Sequence, residues 1–163
     1  MKLEELNPTQ MAIVTLLRAP DVNGKENSPI PGLTHLVKEI FALTNTELGS
    51  ELLDELCFEP DNFGPFDETV YAALDNLKDA GVVAIEPNNK RTTIKLTSKG
   101  KKIAEELWGK LKDDIVFLFS YTKMNYNHLS SDDLLDKIYA AYPEMTKYSI
   151  SKVAEKYRTE GMS

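Results

Sequence analysis

Residues 62–100 constrain the fold of this chain more than any other stretch. They open on Asn62-Phe63-Gly64-Pro65-Phe66, where Gly64-Pro65 reads as a turn and Asp67 as the helix cap behind it, since a carboxylate accepts from the free N–H groups of a first turn. Phe66, Val70, Ala73, Leu74 and Leu77 recur at helical spacing and predict a helix reaching Ala80. Gly81 stands where a left-handed, helix-terminating residue belongs. Residues 82–85 and 92–96 are β-rich runs joined by residues 86–91, which predicts a hairpin. Thr97 then caps a helix whose stripe is Ile103, Ala104, Leu107, Trp108 and Leu111.

Helix, hairpin and helix in that order form the second half of a winged helix-turn-helix. The preceding segments supply the first half. Asn7 and Pro8 open a helix through Met11, Val14 and Leu17, which Pro20 ends. Residues 21–32 hold several Pro and Gly breakers and read as a long loop. Leu33, Leu36, Val37, Ile40 and Phe41 predict a second helix with one apolar stripe. Thr46 opens a third through Leu48, Leu52, Leu53 and Leu56, weakened by Gly49.

Lys112-Asp113-Asp114 permits either a break or one long helix into the wholly apolar run of residues 115–119. Ser130-Ser131-Asp132-Asp133 opens a further helix through Leu134, Leu135, Ile138 and Tyr139, since Ser caps free N–H groups and early Asp suits the helix dipole, and Tyr142-Pro143 ends it. A last helix is expected through Ile150, Val153, Ala154 and Tyr157, with residues 158–163 fraying. The expected fold is mostly α with a small β-hairpin: a winged-helix domain over residues 1–112 and a C-terminal helical extension over residues 113–163.

Charge is strongly partitioned. The net charge is -7, yet residues 88–112 carry 8 basic and 2 acidic side chains, net +6, while residues 1–87 carry 5 and 16, net -11. Lys90, Arg91, Lys95, Lys99, Lys101 and Lys102 crowd the hairpin tip and the next helix start, where they are placed to straddle a phosphate backbone. The same run also reads as a solvated hairpin balancing an acidic body. On the helix after Asp67, Tyr71, Asn76 and Lys78 are suited to a major groove, but Glu68, Asp75 and Asp79 face outward beside them. The nucleic-acid-binding set predicted from sequence is therefore Tyr71, Lys78, Lys90, Arg91, Lys95, Lys99, Lys101 and Lys102, acting on double-stranded DNA.

No phosphate loop, nucleophile elbow or paired-carboxylate signal is present, so an enzyme is not expected. His35 and His128 lack ligand spacing and no metal or other cofactor is expected. Cys57, between Leu56 and Phe58, reads as a small buried hydrophobe. A single cysteine, no signal sequence and no membrane-length apolar run predict a cytoplasmic chain without a membrane partner. Six tyrosines, Tyr121, Tyr126, Tyr139, Tyr142, Tyr148 and Tyr157, lie in the C-terminal third. With the run at 115–119 they suggest a homodimer or a protein contact.

Two resemblances follow from these residues. Leu96-Thr97-Ser98-Lys99-Gly100 after a hairpin resembles the wing-to-helix junction of MarR-type and PadR-type regulators. Residues 58–66 with Val70-Tyr71 and Leu74-x-x-Leu77, and residues 132–144 with their Tyr-Pro-Glu end, are similar to the SocA-like (Panacea) antitoxin domains and the YwgA-type proteins. The resemblance implies a helical domain of winged-helix character whose relatives include antitoxins that act by binding proteins.

Overall fold

A computed structural model of the chain describes residues 1–61, 64–88 and 91–146. It is mostly helical, with α1 (Pro8–Arg18), α2 (Leu33–Thr44), α3 (Glu47–Leu52), α4 (Glu68–Asp79), α5 (Ser98–Lys110), α6 (Asp113–Tyr126) and α7 (Ser131–Ala141). Two antiparallel pairs complete it, β1 (Glu59–Asp61) with β2 (Gly64–Phe66) and β3 (Val83–Asn88) with β4 (Arg91–Leu96). Among the described residues no helix is long and apolar enough to cross a membrane.

Helix starts follow local chemistry. Asn7 and Gln10 form a reciprocal capping box with Pro8 at the first helical position, and Thr46, Asp67, Thr97 and Ser130 each accept an N–H of the turn they open. Gly81 ends α4 at φ 76°, the left-handed conformation read for it. Gly49 does more than weaken α3. A Cβ there would lie 1.8 Å from the Leu43 carbonyl oxygen, so only glycine lets α3 turn back against the end of α2. The helix stops at Leu52, short of Leu56.

Gly64-Pro65 is a strand and not a turn: Pro60 pairs with Pro65 and Glu59 with Phe66 in a two-stranded ribbon, where a missing N–H can face away from the ladder. The hairpin is longer than its β-rich runs, because Glu86, Pro87, Asn88 and Arg91 join the ladder and leave only residues 89–90 to connect it. Within loop 21–32, Ile30 bridges to Ile94 and adds a third extended segment beside β4.

The break after Lys110 is real, but α6 folds back into the main core. Phe119 belongs to the same apolar cluster as Leu16, Leu36, Leu77 and Ile103, with Ile115 and Leu118 packed on it. Residue 112 thus separates two helices within one core. A smaller cluster joins Phe41 to Leu134, Leu135, Ile138, Tyr139 and Met145. Between these clusters α2 is enclosed by α1, α3, α6 and α7, so its expected single stripe is a buried cylinder: His35, Lys38 and Glu39 are 3% exposed or less. The helix expected through Ile150 to Tyr157 and the fraying end lie outside the described residues.

Candidate nucleic-acid interface

The Thr97–Gly100 junction is a lock between two helices. The Thr97 hydroxyl donates to the Gly81 carbonyl at 2.5 Å, while its backbone N–H donates to Val82 and its side chain accepts from Gly100. At Gly100 a Cβ would lie 1.9 Å from the Val82 carbonyl oxygen, so glycine is required where α5 starts. Lys99 reaches back and donates from Nζ to the Ala80 carbonyl at 3.0 Å, placing a cation on the C-terminal end of α4.

This divides the predicted set. Lys95 sits 2.8 Å from the Glu86 carboxylate across the hairpin, and Lys99 is occupied as a helix cap. Tyr71 is half-buried, its ring 5.1 Å from that of Phe66. Lys78, Arg91, Lys101 and Lys102 are exposed. Lys90 falls outside the described residues. The outward face of α4 exposes Glu68, Ala72, Asp75, Asn76 and Asp79, with Lys78 as its one cation.

A buried polar group escaped the sequence reading. Lys123 has no exposed surface and donates from Nζ to the carbonyls of Leu17 at 2.7 Å and Ser28 at 2.8 Å, joining the end of α1 to loop 21–32. Asn127 donates to the Pro29 carbonyl beside it. Burial pulls the Lys123 ammonium down to about 8, opposed by the attraction of Glu39 and Asp21. Glu39 has neither carboxyl oxygen hydrogen-bonded, and burial pushes it well above the usual carboxylate range. His35 donates from Nε2 to the Tyr126 carbonyl at 2.9 Å, and desolvation holds it down to about 4. Lys38 is lowered to about 8 by the same cause. The available signal was the spacing of Ile115, Leu118, Phe119, Thr122 and Lys123, which places the lysine on the inward stripe of α6.

Arg18 plays a comparable role at the surface edge, ion-paired with Glu105 and Glu26 and lying 4.8 Å over the Trp108 ring.

No protein-family model and no curated protein matches this chain. Geometry and charge therefore carry the functional reading.

Several expectations change on this geometry. Cys57 is exposed, because burial alternates along the stretch leading into β1 and the neighbours Leu56 and Phe58 take the inward positions. Of the described C-terminal tyrosines, Tyr139 is fully buried, Tyr126 and Tyr142 are half-buried, and only Tyr121 is exposed. They serve mainly as packing, and Tyr148 and Tyr157 lie outside the described residues. Among the described residues no cluster of His, Cys, Asp and Glu could hold a metal.

Phe117, Tyr121 and Met124 do form an outward stripe on α6, 69%, 54% and 41% exposed. With each such side chain offering about 150–250 Å² in all, the stripe presents roughly 300 Å². A stable dimer encloses about 800 Å² per partner, so this stripe alone falls well short.

Proposed function

We propose that the chain is a winged-helix scaffold whose working surface binds a protein and does not read duplex DNA. The order α1, an extended segment at Ile30, α2, α4, the β3-β4 hairpin and α5 supports the winged-helix reading, with residues 45–67 inserted between α2 and α4. In that order α4 occupies the position of a groove-reading helix. The observation that carries the proposal is its exposed face, where Glu68, Asp75 and Asp79 outnumber Lys78. Like charge brought against phosphates loses energy on desolvation, whereas a basic protein surface complements it. An antitoxin-like role, as the resemblance to SocA-like domains implies, is of this kind.

Arg91, Lys101 and Lys102 favour a second reading, in which the hairpin and the start of α5 hold phosphates while α4 stands off. One experiment separates the two. Wild type, Asp75→Lys/Asp79→Lys and Lys101→Glu/Lys102→Glu are compared by co-purification from native lysate and by gel shift on duplex DNA below about 50 mM salt. The protein-binding reading expects a specific co-purifying protein lost in the α4 variant and no shifted duplex. A duplex shift lost in the α5 variant would replace it with the DNA reading, and an unaccompanied chain in every lysate would count against it.

A further inference from the structure

Four helices leave a pocket of about 170 Å³ between them, walled by α1, α3, α5 and α6. Ala12, Thr15, Leu107 and Phe119 form its buried floor, each 5% exposed or less, and half-buried Leu111 and Ile115 stand at its edge. No lining side chain carries a charge. The pocket lies where α5 gives way to α6: Leu111 adopts extended backbone at φ -77° and ψ 146°, and residues on both sides of the break line the space. On α1, Ala12 contributes a single methyl to the floor, which leaves room that a larger side chain would occupy.

Volume and chemistry together define what fits. An apolar cavity of about 150 Å³ stays dry and accepts a benzene ring. A charged group entering such a lining loses its hydration with no counter-charge in return. Among the described residues that line it, Thr15 alone brings a polar side-chain group, its hydroxyl. We infer that this pocket is a binding site for an uncharged apolar small molecule of about one aromatic ring or the equivalent short aliphatic chain. It is separate from the α4 face and from the basic hairpin, so it stands or falls independently of either reading above.

The test is methyl NMR of the full chain titrated with toluene, with benzoate as the charged counterpart of the same ring. Toluene is expected to give saturable shifts confined to the methyl groups that line the pocket, Ala12, Leu52, Leu53, Leu107 and Ile115 among them, together with a raised Tm. Benzoate is expected to bind at least roughly tenfold more weakly, and Ala12→Leu to lose affinity by a similar factor because added methylenes take the space of the ligand. Ile115→Phe fills the pocket from its edge and serves where Ala12→Leu perturbs folding. Absence of saturable shifts up to the solubility of toluene would overturn the inference. So would undiminished binding in both filled variants, or equal binding of benzoate.

Discussion

Replacing Glu39 with glutamine should stabilise the protein at neutral pH and do nothing in acid. The carboxyl is fully enclosed, neither oxygen is hydrogen-bonded, and the His35 Nε2 lies 3.9 Å away, beyond hydrogen-bond reach. Its folded pKa is well above 4.5, so above pH 4.5 the unfolded chain releases a proton that the folded chain keeps. The wild type therefore loses stability as pH rises from 4.5 toward the folded value. Glutamine has the same shape and does not titrate.

Each pH unit in that window is about 1.4 kcal/mol, which sets a ceiling of about 3.5 kcal/mol for the gain at pH 7. The attraction of Lys123 opposes the rise in the Glu39 pKa and so keeps the gain below that ceiling. His35 titrates in an overlapping window with the opposite sign, since its folded value is about 4 against 6.5 and its share of stability falls as the solution is acidified. The wild-type profile is flattened by this opposition, and only the difference between variant and wild type isolates Glu39. Urea unfolding of both at pH 4, 5.5 and 7 gives that difference. A Glu39→Gln protein no more stable than wild type at pH 7 would refute the reasoning, because it would mean the carboxylate is ionised and held by Lys123.

Lys123→Met should cost about 2–4 kcal/mol in denaturant unfolding, since it leaves the Leu17 and Ser28 carbonyls enclosed without donors. The wild type should also gain stability between pH 8 and 10.5, where unfolded Lys123 and Lys38 hold protons that the folded chain releases, and the methionine variant should keep only the share of this rise that Lys38 supplies. Gly100→Ala forces a backbone shift at the α5 start and should lower stability by about 3 kcal/mol or more, visible as a Tm loss of several degrees. Lys99→Met removes only an exposed helix cap and should cost less than about 1 kcal/mol by the same measurement.

What the sequence conveys here depends on how far apart the interacting groups lie. Asn7, Thr46, Asp67 and Thr97 act on N–H groups two or three residues away and each caps the helix expected of it, while Ser130 is the one of residues 130–133 that caps the helix they open. Gly81 and the hairpin were legible for the same reason. Burial of polar groups was not, because it is decided by partners far along the chain: Lys123 meets carbonyls at Leu17 and Ser28, and His35 meets Tyr126. Gly64-Pro65 carries turn chemistry, yet pairing with residues 59–61 makes it a strand. Cys57 sits between apolar neighbours that pack, but the alternation of the stretch leading into β1 points it to solvent. In the basic run, composition identified the cations, and only geometry could separate Lys95 and Lys99, which have partners, from Lys101 and Lys102.

The Lys123 anchor also bears on the order in which the chain acquires its structure during synthesis. Loop 21–32 and the end of α1 are fastened by side chains roughly a hundred positions downstream, Lys123 and Asn127, while α2 receives its cover from α6 and α7. A nascent chain that has emerged only as far as α5 holds the hairpin and its local helices but has nothing to close over His35, Lys38 and Glu39. Residues 113–146 complete the core, and until α6 leaves the ribosome the N-terminal half remains open to proteases and chaperones at loop 21–32.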